Sequence, residues 1–176
     1  MNTITSSGKG AKDGIALRLT TLLDTVNGLM GRLPNTLLAF IARFSIAAVF
    51  WKSGQTKIEG LSIDIVSGQF KLGIPRLSEN AVFLFKDEYK LPILSPELGA
   101  ALAALGEHIL PILILLGLGT RLSALGLLGM TMVIQLFVYP GAYATHGTWA
   151  AVLLYLMAHG PGKLSIDAWL ASRHAR

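Results

Sequence analysis

The chain reads as an all-α protein, an integral membrane four-helix bundle preceded by an amphipathic helix. Three observations predict this. Hydrophobic residues make up 52% of the 176 and charged residues only 14%, against about 25% charged in soluble domains. Four apolar stretches reach or approach the roughly 17–25 residues with which a helix crosses a bilayer. Lys and Arg gather before the first stretch, between the second and third and after the fourth, whereas residues 140–146 contain none. Such an asymmetry sets membrane orientation.

Residues 1–33 form the amphipathic segment. Ile15, Leu19, Leu22, Leu23, Val26, Leu29, Met30 and Leu33 follow helical spacing, with Asp13, Arg18, Asp24 and Asn27 off that stripe. The expectation is an interfacial helix on the inner membrane surface, or a cytosolic helix packed on the bundle. Its apolar residues are too dispersed for the core of a signal peptide.

The bundle is expected over residues 34–170. Its spans run from about Pro34 to Trp51, Pro96 to Gly117, Arg121 to Tyr139 and Thr148 to His159. Pro111 is placed to kink the second span. The fourth is short and stops at Gly160-Pro161-Gly162, before an interfacial segment at Lys163–Leu170 and a tail at 171–176. Lys9, Lys12, Arg18 and Arg32, then Arg121, then Lys163, Arg173 and Arg176 mark one side. Both termini are thus expected in the cytoplasm of a multi-pass protein. The connection at about 52–95 lies outside, where Val82, Phe83 and Phe85 predict a short interfacial helix within Ser78–Lys90. The net charge of +5 reports topology and implies no nucleic-acid partner.

Glu107, followed by His108, interrupts the apolar run from Leu98 to Leu118. A carboxylate at the centre of a span costs about 2.5–3.5 kcal/mol, so it needs a partner. At about 1.5 Å per residue, Arg43 lies roughly 13 Å from the inner end of its span and Glu107 roughly 16 Å from the outer end of its own, one level in a core about 30 Å thick. Ala39 and Ala47 flank Arg43, and Ala100, Ala103, Ala104 and Pro111 share the face of Glu107, small residues that let helices approach. An Arg43–Glu107 pair is therefore expected. Thr131, Gln135 and Tyr139 repeat every four residues on the third span, while Thr148, Tyr155 and His159 fall near one face of the fourth.

Two readings of these groups stand side by side. One is a structural staple with hydrogen-bonded neighbours. The other is a polar intramembrane pocket of Arg43, Glu107, Thr131, Gln135 and Tyr155, opening outward past Lys52, Gln55 and His146. No catalytic residue is assigned. The absence of cysteine excludes disulfide, thiolate-metal and thiol redox chemistry on this chain. His108, His146, His159 and His174 lack metal-ligand spacing; His108 is expected to bond a neighbouring helix and His159 to cap carbonyls. Gly117–Arg121 is read as an interhelical turn rather than a phosphate cradle, and no nucleophile elbow is present.

The ordered set of motifs resembles the DoxX family of small four-span bacterial membrane proteins. It comprises Arg43 in the first span, Phe50-Trp51-Lys52-Ser53-Gly54-Gln55-Thr56-Lys57 after it, Glu107 ahead of Pro111, Gly117-Leu118-Gly119-Thr120-Arg121, and Gly160-Pro161-Gly162-Lys163-Leu164-Ser165-Ile166-Asp167. The resemblance covers about Pro34 to Leu170; the amino-terminal extension and the long outer connection are less typical. It implies an inner-membrane bundle in redox-linked company, as the membrane subunit of a quinone-associated assembly with a protein partner or a second copy. The alternative it implies is a non-catalytic anchor or assembly factor for a stress- or metal-related partner.

Overall fold

The computed structural model describes residues 7–64 and 67–174, with side chains from residue 17 onward. Ile15 of the amphipathic stripe, Asp13 off it, Lys9 and Lys12, and Arg176 of the basic tail lie outside the described side chains. Residues 1–34 form one unit and 35–176 another. The first contains α1 (Ser7–Met30), whose Leu19, Leu22, Leu23, Val26, Leu29 and Met30 are exposed.

The second unit is built on α2 (Asn35–Gln55), α4 (Pro96–Leu116), α5 (Thr120–Val133) and α6 (Tyr143–His159). α2 packs on α4 and α6, and α5 packs on the same two, closing a four-helix bundle. Three helices are long and apolar enough to cross a membrane: α2, α4, and α5 extended through a π-helical turn to Val138. The 17-residue α6 completes the ring. Phe40, Phe44, Ile109, Leu125 and Leu136 project outward, about half exposed, while Arg43, Glu107, Thr131 and His146 are buried. Apolar groups outside and polar groups inside suit a surrounding of lipid, and the chain is an all-α membrane protein. Ile46, Phe50, Ile114, Leu127, Leu153 and Leu156 form the bundle core.

The connection after α2 folds into a finger. Strand β1 (Ile58–Glu59) pairs antiparallel with β4 (Arg76–Leu77), and β2 (Ser62–Asp64) with β3 (Gln69–Lys71). α3 (Glu79–Leu84) follows, its first turn capped by Ser78 Oγ accepting from Ala81 N, and a π-helical turn continues it over Phe85–Tyr89. Ala81 and Phe85 pack on Ala100 of α4. Hydrogen bonds hold the finger to the bundle. The Ile63 N–H donates to Gln55 Oε1 at 2.7 Å, and Trp51 Nε1 donates to Ile63 O at 3.2 Å. His108 Nδ1 donates to Ala104 O at 2.6 Å, which leaves Nε2 to accept from Gln55 Nε2 at 2.9 Å. At the other end of the chain the helical backbone continues past residue 170 in α7 (Ile166–His174), where Ser165 Oγ accepts from Ala168 N.

Helices α2 and α4 are staggered rather than flush. Gly54, near the end of α2, backs onto the carbonyl of Glu107 and the ring of His108 in the middle of α4. Pro111 has no N–H to offer the Glu107 carbonyl four residues before it, and Gly54 leaves room beside that oxygen. A Cβ at Gly54 would lie 2.8 Å from the His108 ring and 3.0 Å from the Glu107 carbonyl. Gly54→Ala is accordingly expected to cost about 1–3 kcal/mol, as overpacked interiors do, read as a lower midpoint of thermal unfolding in detergent.

Candidate functional site

The stagger leaves the first half of α4 standing beyond the end of α2, and Lys57 fills the space. Its backbone is fixed there by Lys57 N donating to Gly54 O at 2.9 Å. The ammonium donates to Glu107 Oε2 at 2.7 Å, to Ser53 Oγ at 3.1 Å and to Ser53 O at 3.4 Å, so all three of its protons have acceptors. Both side chains are nearly excluded from solvent, 10% exposed for Lys57 and 3% for Glu107. A buried pair is held only with this kind of complete hydrogen bonding.

Lys57, Glu107 and Ser53 line a cavity of about 450 Å³. Its wall is otherwise mostly aromatic and aliphatic: Val49 and Phe50 from α2, Phe85 and Tyr89 from the π turn, Leu102 and Ala103 from α4, Met130 and Val133 from α5. His146 and Trp149 of α6 also line it. The His146 ring sits 5.1 Å from the Trp149 ring, which is 5.5 Å from Phe50. Gln135 Nε2 donates to Pro140 O, which turns Oε1 toward His146 Nδ1 at 2.7 Å. Nδ1 therefore carries the proton of a neutral His146, and Nε2 is the acceptor.

At the rim, the Tyr139 hydroxyl donates to Glu88 Oε1 at 2.6 Å and its ring meets Tyr89 edge-on at 5.8 Å. Two π-helical turns, Phe85–Tyr89 and Ile134–Val138, thus meet across the rim. Such turns shift side-chain register by one residue and recur at functional sites.

The expected Arg43–Glu107 pair is not made. Arg43 Nη1 donates to Leu115 O at 3.1 Å and Nη2 to Leu164 O at 2.5 Å. Gly54, level with Glu107, lies eleven residues beyond Arg43, about 16 Å along α2. The depth estimate assumed flush ends, and the stagger separates the two charges. The tilt of side chains toward each helix's own N-terminus separates them further, because the helices are antiparallel. Arg43 instead serves the turn between α4 and α5. There Asp167 Oδ1 and Oδ2 accept from Gly119 N and Thr120 N at 2.8 and 3.0 Å, a carboxylate on a helix N-terminus, while Arg43 sits on the Leu115 carbonyl in the last turn of α4. Gly117 and Gly119 bend through positive φ of 70° and 56°, as L side chains rarely do.

The remaining predicted groups scatter. Thr131 bonds back to Leu127 O within its own helix and does not line the cavity. Tyr155 belongs to the Gly117 end, donating to Asn35 Oδ1 at 2.6 Å and stacking on His159. Lys52 is exposed, and Gln55 is committed to the finger. Of the eight residues, the structure brings Glu107 and His146 together at one cavity, with Gln135 behind His146. Lys57, Ser53, Tyr139 and Trp149 are the neighbours that sequence reasoning left out of the site. The signal for Lys57 was a cation two residues after a helix C-terminus, where its charge favours the last carbonyls. His146 was placed at an outer mouth and proves to be 5% exposed, within the cavity wall. Among the described residues no cluster of three or more His, Asp or Glu side chains has the arrangement of a metal site.

Fold and site together define a helical membrane protein with a buried ion pair opening onto an aromatic cavity between its helices. The chain belongs to the DoxX family, whose model matches residues 38–140. That stretch runs from α2 to the end of the third long helix. No curated protein and no solved structure matches the chain.

Proposed function

We propose that the chain is the membrane subunit of a quinone-associated redox assembly in a bacterial inner membrane, crossing it four times with both termini in the cytoplasm. The observation that carries this reading is the cavity itself. Its volume of about 450 Å³ falls within the 300–1,000 Å³ of small-molecule sites, and its mostly apolar wall with few polar groups is their usual chemistry. A bound quinone supplies two-electron redox chemistry coupled to the uptake of two protons. Phe50, Tyr89 and Trp149 offer ring faces and edges to a flat head group. Ser53 and the Lys57 ammonium offer donors to a carbonyl oxygen. His146, held through Nδ1 by Gln135, keeps Nε2 for proton exchange, and Glu107 is a second group able to hold a proton. A chain without cysteine has no thiol of its own to relay electrons, so in this reading a protein partner delivers them to the quinone.

A second reading is favoured by the finger, where Phe70, Leu72 and Ile74 are 64%, 82% and 78% exposed. It makes the chain a non-catalytic anchor or assembly factor that docks a partner there.

Trp149 lies in the cavity wall, so the test is optical. Addition of decylubiquinone to the protein in mild detergent is expected to quench tryptophan fluorescence saturably. Trp149→Phe should remove most of that quenching, and His146→Ala should weaken the affinity. Linear, unsaturable quenching in the native protein, or saturation unchanged in both variants, would defeat the quinone reading and leave the anchor.

A further inference from the structure

The wall of the aromatic cavity holds two kinds of residue. Phe50 and His146 line it and are only 1% and 5% exposed, so the cavity itself gives its wall little exposure. Leu102 on α4 and Val133 on α5 line it as well, yet are 50% and 41% exposed, and Gly129 of α5, also in the wall, is exposed too. The exposure of these three therefore comes from the outer surface of the bundle. We propose that the cavity opens sideways between α4 and α5, and that its ligand is a lipid-borne molecule with a compact head at Ser53 and Lys57 and a long apolar tail leaving past Leu102, Gly129 and Val133 into the bilayer. That the head is a quinone rests on the function proposed above; the side opening does not.

The packing of the two helices accounts for the gap. Gly106 backs onto Met130 and Gly126 onto Leu110, where a Cβ would come within 3.0 and 2.9 Å of those side chains, so α4 and α5 touch closely there, as small residues allow. The same antiparallel register sets Leu102 opposite Ile134, and at that level both residues line the cavity. Gly129, level with Glu107, leaves open space, since a Cβ there would meet nothing within 4 Å. Glycine weakens a helix interior, and no neighbouring atom requires one at 129; the close approach of a ligand does. The surroundings of the opening are apolar. Both helices are long and apolar enough to cross a membrane, and Leu98, Leu105, Leu125 and Leu136 are exposed on them. The other way in, at the rim, is crossed by the hydrogen bond from Tyr139 to Glu88 and the contact of the Tyr139 and Tyr89 rings. An opening among hydrocarbon side chains admits an apolar chain and rejects a charged solute. Donors at the closed end and aliphatic groups at the open one orient the ligand head inward, tail outward.

The test uses the full chain in phosphatidylcholine vesicles and the variant Gly129→Leu, which puts a side chain into the opening and should keep an equal or higher Tm, leucine being the better helix former. Binding of decylubiquinone and of the tailless ubiquinone-0 is read from tryptophan quenching, and the ratio of variant to native affinity cancels each quinone's own partition into lipid. Gly129→Leu is expected to weaken decylubiquinone at least about fivefold, the effect of overpacking a seated tail, and to leave ubiquinone-0 unchanged. A second readout needs no quinone. In vesicles of phosphatidylcholine brominated along its acyl chains, the emission lost in Trp149→Phe is expected to be quenched in the native protein and protected by Gly129→Leu. Equal weakening of both quinones, or of neither, overturns the opening while the quinone reading stands. If neither quinone binds the native protein, the quinone reading falls and the bromine result decides: quenching that Gly129→Leu removes sustains a lipid-facing opening, and quenching that is absent or unchanged in the variant overturns it.

Discussion

Lys57→Ala and Glu107→Ala are each expected to lower stability by about 3–5 kcal/mol, the effect of stranding one charge of a buried pair. The reason is specific to this site. Lys57 is tethered by its backbone hydrogen bond to Gly54, and the other two acceptors of its ammonium both belong to Ser53. Removing Glu107 leaves an ammonium facing an aromatic wall; removing Lys57 leaves a carboxylate with only weak neighbours in mid-helix. The double replacement Lys57→Met with Glu107→Leu is expected to recover most of the loss, because well-packed apolar residues replace buried ion pairs at little cost. Unfolding in mixed detergent micelles of the two singles and the double completes a cycle. Additive losses, or single losses below about 1 kcal/mol as at exposed pairs, would show that water reaches the pair. The same cycle bears on function: a double variant that is stable but no longer quenched by decylubiquinone makes the charges part of the site.

The fold was legible wherever hydrophobic length decides it. The long apolar runs, the breaks at Gly117 and at Gly160-Pro161-Gly162, and the short helix carrying Phe85 all correspond to elements of the structure. Finer features have no such signature. Strands of two or three residues between Ile58 and Leu77 bury too little to leave a periodic pattern, and a π turn differs from an α turn only in hydrogen-bond register. Of the site, Glu107 was legible as an isolated cost, and so was its need for a partner. The partner was not, because it depends on how far α2 slides along α4. That offset is set by contacts such as Gly54 on the Glu107 carbonyl, which link distant positions in the chain. Lys57 stood at the end of the motif after the first span, with nothing in the sequence to level it with Glu107. Arg43 is buried, but its guanidinium bonds two backbone carbonyls in place of the expected Glu107 carboxylate.

That misassigned residue carries the other large effect. Arg43→Ala is expected to cost about 3 kcal/mol or more, since two hydrogen bonds from a charged group, each worth roughly 1.5–3 kcal/mol, are lost together. The guanidinium is 2% exposed and joins three segments: α2 through its own backbone, the end of α4 through Leu115 O, and the stretch before α7 through Leu164 O. Asp167 of that stretch in turn holds the start of α5, so one side chain ties both flanks of the Gly117–Gly119 turn. Arg43→Lys should recover only part of the loss, because a single ammonium cannot match a planar fork that reaches two carbonyls at once. Arg43→Ala is expected to leave the affinity for decylubiquinone unchanged in protein that remains folded, because the residue sits about 16 Å along α2 from the level of Glu107. A variant that folds normally yet loses quinone affinity would place Arg43 back in the site and refute the separation of the two charges.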